Sequence, residues 1–197
     1  MYLFGASGHG QVVLEIAEDN GHLVEAFIDM DLNKKELLNI PVLHEIPKQM
    51  INVIIAIGNN TIRKRIVISN KTFRYPTLVH SRANISHRTE LGSGTVVMAG
   101  ATINSNVNIG EQCIINTNAS VDHDCLLGDF VHISPQVGLA GNVSVGEGTH
   151  VGIGATVIQN IKIGKWVTIG AGAVIIHDVP DFAVVVGNPG KIIKYRN

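Results

Sequence analysis

A six-residue period governs about half of this chain. Counting in sixes from Ile85, the marks fall on Leu91, Val97, Ile103, Ile109, Ile115, Val121, Leu127, Ile133, Leu139, Val145, Val151, Val157, Ile163, Ile169 and Ile175, always Ile, Leu or Val. Four residues after each mark the side chain is usually small or β-branched, as at Ala101, Cys113, Ala119, Cys125, Val131 and Ala155. Gly often follows the mark, as in Leu91-Gly92, Ile109-Gly110 and Leu127-Gly128. This period fits neither a helix nor a strand meander and predicts a β-helix solenoid of hexapeptides. Each hexad makes a short strand and a bend, and three hexads close a triangular coil. The large aliphatic fills the prism axis, the small residue fits where the interior narrows, and Gly relieves the backbone at corners. About five coils, stacked ~4.8 Å apart, reach about 24 Å. No coil buries its apolar side alone, so stability comes from stacking. Chemistry must then sit on the outer surface.

Composition narrows the function classes. A formal net charge of −1 gives no reason to expect a nucleic-acid partner. No apolar run approaches the ~20 residues of a membrane span. Met1 to Phe4 is too short for a signal peptide before the Gly5–Gly10 turn. Cys113 and Cys125 fall on inward repeat positions and read as reduced core residues, which predicts a cytoplasmic setting.

Residues 1–80 read as a separate small α/β domain, and 81–197 as the solenoid with a C-terminal strand. Met1–Phe4 is an apolar strand, Gln11–Asn20 a helix with Val12, Val13, Ile16 and Ala17 on one face, Val24–Ile28 a second strand, and Val53–Ile57 a third. Asp31–Asn39 reads as a polar loop or short helix, and Thr61 as the cap of a helix running to Ser69. This order is half of a doubly wound nucleotide fold. Gly5-Ala6-Ser7-Gly8-His9-Gly10, between strand and helix, can cradle a phosphate with backbone N–H groups. The spacing is not GxGxxG, so a mononucleotide fits better than a dinucleotide, and packing alone also explains such turns. His9 is placed to touch a phosphate or sugar, and Asp29 to meet a sugar hydroxyl.

In the solenoid the main polar outlier is Asp122-His123-Asp124. A carboxylate beside an imidazole fixes its tautomer and raises its basicity, which suits a general base. Neighbours in a strand point to opposite faces, so a His123–Asp124 contact requires a bent corner; Asp122 competes for the ring. Steps of 18 place Gly141 one coil above His123, and His132 beneath His150. Lys191, Lys194 and Arg196 form a basic end that is either a solvated tail or a partner for the phosphates of an anionic cofactor.

Together, the hexad run, the Gly5–Gly10 turn, Ala56-Ile57-Gly58-Asn59-Asn60, Asp122-His123-Asp124 and Val186-Gly187-Asn188-Pro189 resemble the hexapeptide-repeat acetyltransferases. The similarity is greatest to the branch that N-acetylates nucleotide-linked amino sugars, as in bacillosamine and perosamine pathways, and extends to sialic acid O-acetyltransferases. The resemblance implies a homotrimer of left-handed β-helices, acetyl-CoA between neighbouring prisms, a nucleotide sugar on the N-terminal domain, and no metal. It implies His123 as general base, Asp124 as its support where relatives often have Glu, and Asn116 near the reacting amine. It implies His132, Gly141, Ile153 and Ala171 along the acetyl-CoA groove, Ala171 replacing a Gly. Ser7, Gly8, His9, Asp29, Met30 and Gly58 would meet the nucleotide sugar, Met30 standing where a second acidic residue can follow Asp29. The Gly141 N–H would stabilise the oxyanion, and the buried thiols would carry no acyl group. O-acetylation of a sugar hydroxyl is the alternative. More remote are a γ-carbonic-anhydrase-like metal enzyme, which needs three imidazoles on neighbouring faces, and a non-catalytic scaffold.

Overall fold

A computed structural model of the chain, describing residues 1–196, consists of a small α/β domain seated on one face of a triangular β-prism. In the α/β domain, β1 (Tyr2–Phe4), β2 (Ala26–Ile28), β3 (Glu36–Leu37), β4 (Ile40–Leu43), β5 (Ile51–Ile55) and β6 (Phe73–Arg74) form a sheet in the order β3-β4-β2-β1-β5-β6. All pairings are parallel except the β3–β4 hairpin. β1, β2 and most of β5 are buried, as central parallel strands require. The expected polar loop holds over residues 31–35, and the hairpin takes its end from Glu36 onward. Its two-residue turn places Leu38 and Asn39 at φ +51° and +62°, and Leu is a poor signal for that turn.

Helix α1 (Gly8–Asp19) begins three residues earlier than the sequence suggested, with Ser7 at the N-cap. It buries Val13, Leu14, Ile16 and Ala17, while Val12, expected on the same face, is exposed and Leu14 takes its place. These side chains share a core with Leu78, Val96, Met98 and Ile114 of the prism. The α/β domain is thus glued to the prism by apolar contact. Helix α2 (Asn60–Ser69) is capped by Asn59, whose Oδ1 accepts the Ile62 N–H at 3.0 Å, rather than by Thr61.

The prism has three parallel sheets whose rungs pair at intervals of 18 residues, such as Val96↔Ile114↔His132↔His150↔Thr168. The first face starts at Leu78–Val79 and ends at Ala183–Val186, so the stack exceeds the five coils of the hexad run. The second face runs from Asn84–Ile85 to Val174–Ile175, and the third from Glu90–Leu91 to Lys162–Ile163. A last strand, Lys191–Tyr195, pairs antiparallel with Ala183–Val186 and extends the first face. The marks fill the prism axis: Val97, Ile115, Ile133, Val151 and the Cys113 and Cys125 thiols form one buried cluster.

The corner backbone meets the expectation only in part. Positive φ recurs three residues after most marks, on glycine at Gly94, Gly100, Gly148, Gly154 and Gly172 but on other side chains at Asn106, Gln112, Asn118, Asp124, Phe130, Gln136 and Asn142 among others. The Gly that follows a mark serves close coil stacking instead: a Cβ on Gly92 would collide with the Gly110 carbonyl one coil above.

Candidate active site

The outer surface of the prism changes character along the first face. Outward rung residues run Leu78, Val96, Ile114 beneath the α/β domain, then His132, His150 and Thr168 beyond it. Two polar clusters result.

The first lies at the corner between the second and third faces. Asp124 has φ +61°, a conformation that Asp tolerates better than most residues. This bend lets adjacent side chains meet: His123 Nδ1–H donates to Asp124 Oδ2 at 2.8 Å. Asp122 is not the ring's partner, because its Oδ1 accepts the His123 backbone N–H at 2.8 Å. The hydrogen bond to Asp124, reinforced by the charge of Asp122, raises the His123 pKa. The same bond, with Asn106, lowers that of Asp124. The ring lies over Gly141, where an added Cβ would stand 2.6 Å from its Cε1 and 2.7 Å from Nε2. Nε2 has no hydrogen-bond partner among the described residues, on a side chain 60% exposed. The Gly141 N–H meets no backbone acceptor among the described residues.

The second cluster lies where the α/β domain meets the prism. His132 Nδ1–H donates to Gly58 O at 3.3 Å, and Asn116 Nδ2 lies 3.2 Å from His132 Nε2. The His132 and His150 rings stack at 4.8 Å, and Ser134 Oγ lies 2.8 Å from His150 Nε2. Burial, the neighbouring His150 and the Arg63 guanidinium push the His132 pKa down to about 3. Burial and Arg63 push His9 down to about 4, and its buried Nε2 has no protein partner among the described residues. A cavity of about 450 Å³ opens here between Gly58–Thr61 of the α/β domain and His132, His150, Thr168 and Arg196 of the prism. A groove of about 480 Å³ between α2 and Trp166 and Phe182 holds, of the expected functional residues, only Arg196 of the basic end.

Arg63 organises this junction. Its fully buried guanidinium donates to Gln112 O at 2.8 Å, Phe130 O at 2.8 Å, Ile57 O at 3.0 Å and Asn60 Oδ1 at 2.9 Å. Asn60 in turn donates to Gly148 O and Thr149 O. Nothing in the local sequence distinguishes Arg63 from a solvated helical arginine.

Ser7 and Gly8 are exposed at the open start of α1. Gly5 and Gly10 answer to packing: Gly5 has φ +115°, and a Cβ on Gly10 would strike the Gly5 carbonyl. Gly8 has open space, with no packing reason to be glycine. Asp29 ends β2 with its carboxylate engaged. Its Oδ2 accepts Ala6 N–H at 2.9 Å and pairs with Lys34 Nζ at 2.8 Å, and its Oδ1 accepts Asp31 N–H at 3.0 Å. Burial alone would raise its pKa, but Lys34 and the two N–H groups hold it below the usual value. Met30 beside it is exposed.

The expected residues therefore separate. His123, Asp124 and Gly141 share one corner. Asn116, Ile153 and Ala171 lie along another, between the first and second faces, with Ile153 exposed and the Gly172 N–H bonded to its carbonyl. His132 and Gly58 meet at the domain junction, with His9 close by. One chain does not bring His123 and Asn116 to a common point. Among the described residues, no three His, Cys, Asp or Glu side chains converge as metal ligands. No helix among them is long and apolar enough to cross a membrane.

A half nucleotide fold seated on a hexapeptide prism, with an imidazole braced by a carboxylate on the prism surface, defines the class of solenoid acyltransferases. Comparison narrows it. The family described as the PglD N-terminal domain matches residues 1–69. Over 98% of both chains, this one is 38% identical to the acetyltransferase domain of PglB from Neisseria gonorrhoeae, with a TM-score of 0.90. It is 35% identical to a mutant of perosamine N-acetyltransferase from Caulobacter crescentus solved with CoA and GDP-perosamine, covering 98% of this chain and 96% of that one at a TM-score of 0.93. WeeI from Acinetobacter baumannii matches at 29% identity over 98% of both chains, with a TM-score of 0.90. The chain belongs to the hexapeptide-repeat, left-handed β-helix family of sugar N-acetyltransferases.

Proposed function

We propose that this protein transfers the acetyl group of acetyl-CoA to the amine of a nucleotide-linked amino sugar, of the UDP-4-amino-4,6-dideoxy or GDP-perosamine type, with His123 as general base. The observation that carries the assignment of the base is the His123–Asp124 pair over Gly141. The CoA and GDP-perosamine complexes of the Caulobacter enzyme, and the acetyl-CoA complex of the Neisseria domain, support the choice of substrates.

In this reading the sugar amine attacks the thioester carbonyl carbon while His123 Nε2 takes a proton from the nitrogen. Asp124 holds the Nδ1–H tautomer and stabilises the imidazolium. The Gly141 N–H donates to the carbonyl oxygen as negative charge develops there. The C–S bond then breaks, and the proton on His123 passes to the departing CoA thiolate. Asn116, beside His132, orients the amine. Ile153 and Ala171 line the path of the CoA arm, together with His132. Ser7, Gly8, His9 and Gly58 receive the nucleotide sugar, with Asp29 acting through the backbone it braces.

The separation of Asn116 from His123 favours an assembly in which His123 of one copy faces Asn116 of the next. A closed homotrimer provides three such sites. Two buried free thiols suit a reducing compartment, so the reaction is assigned to the cytoplasm and its product to glycan assembly. The test is His123→Ala assayed by CoA thiol release with a nucleotide-linked amino sugar. Turnover should fall about 10²- to 10⁴-fold while acetyl-CoA affinity stays constant. Unchanged turnover would remove His123 from the mechanism.

A further inference from the structure

Both carboxylates beside His123 are held from the coil below. Asn104 and Asn106 stand one coil, 18 residues, before Asp122 and Asp124. Asn104 Nδ2–H donates to Asp122 Oδ1 at 2.8 Å, the same oxygen that accepts the His123 N–H. Asn106 Nδ2–H donates to Asp124 Oδ1 at 3.3 Å, leaving Oδ2 for the imidazole at 2.8 Å. One coil higher the corner repeats the pattern without an acid: Asn142 Nδ2–H donates to Asn160 Oδ1 at 2.8 Å. All four of these corner residues, Asn106, Asp124, Asn142 and Asn160, have φ between +58° and +63°.

The stack is an amide ladder in which each Nδ2–H reaches the Oδ1 of the next coil. Asp124 interrupts it. A carboxylate can accept from Asn106 but has nothing to donate upward to Asn142, so its second oxygen is released sideways to His123. We infer that Asn106 is a positioning residue for His123, fixing the Asp124 carboxylate so that Oδ2 receives the imidazole N–H, with Asn104 fixing the backbone through Asp122. This deepens the reading of His123 as the base and rests on it. The charged groups facing His123 are Asp122 and Asp124 of its own coil. Asn104, Ser105 and Asn106 below it, and Gly141 and Asn142 above it, are uncharged.

The test compares Asn106→Gly with Asn160→Gly in the full chain. Glycine keeps positive φ at no steric cost, so each variant loses the side chain while the corner keeps its bend. The readouts are the His123 imidazole pKa, followed by NMR titration of its ring, and the pH profile of kcat/KM. Asn106→Gly should lower that pKa and reduce kcat roughly 2- to 10-fold, the worth of one hydrogen bond. Asn160→Gly, which breaks the same kind of rung away from Asp124, should move neither. Asn106→Asp, which adds a negative charge beside the pair, should raise the pKa above that of the wild type. A His123 titration unmoved by Asn106→Gly, or moved equally by Asn160→Gly, would overturn the inference. The titration needs no turnover. An active His123→Ala enzyme would therefore sink the assignment of the base, while the titration still decides whether Asn106 holds the pair.

Discussion

As the proposed general base, His123 would act only while Nε2 is unprotonated, and its neighbours work against that at low pH. Asp124 and Asp122 raise its pKa, so the acidic limb of kcat/KM should lie above the ordinary imidazole range, with activity falling as pH drops through it. Asp124→Asn removes the charge and should move that limb to lower pH while reducing kcat; a limb that stays in place would show that another group titrates. Gly141→Ala tests the same corner by shape. The backbone there accepts alanine, but the new methyl would stand within 2.7 Å of two ring atoms. Turnover should drop about 10- to 100-fold through misplacement of the ring, with the melting temperature nearly unchanged. The His–Asp pair was legible in the sequence because two acids flank one imidazole. Its bent geometry was not, since the positive φ three residues after the mark falls on non-glycine side chains such as Asp124 as well as on glycines.

At the scale of elements, the hexad marks identified every rung they touched because one large aliphatic per hexad is a strict packing demand. The period also shows where the first face turns polar, at His132. Less legible were the elements whose reason is tertiary. The β3–β4 hairpin hides in a polar stretch because β3 is a two-residue edge strand, and Lys191–Tyr195 is a strand because Ala183–Val186 offers it a partner. Arg63 is the clearest case. Five donors look like a surface residue until two prism carbonyls, one loop carbonyl and the Asn60 side chain, and no carboxylate, surround them. Truncating it would leave Gln112 O and Phe130 O buried without donors and open a void at the domain junction. Arg63→Ala should therefore cost about 3 kcal/mol or more in unfolding free energy by denaturant titration. A change below about 0.5 kcal/mol would show that water replaces the guanidinium there.

For the whole molecule, the prism is a rigid ruler that sets the His123–Asp124 pair on one corner and the Asn116, Ile153 and Ala171 line on another. If the site joins corners of two copies, His123→Ala and Asn116→Ala proteins, each inactive alone, should regain activity on refolding together. Random closed assembly restores about a quarter of the sites. A mixture as inactive as its components would mean that each chain works alone, and light scattering should independently return a trimer. The most direct measurement is CoA thiol release from acetyl-CoA across a panel of UDP-4-amino sugars, GDP-perosamine, dTDP-amino sugars and free sialic acid. The account predicts strong release with one nucleotide-linked amino sugar, an N-acetyl product by mass spectrometry, and loss of both in His123→Ala. Release with sialic acid alone, or with no amine in the panel while acetyl-CoA still binds, would contradict it.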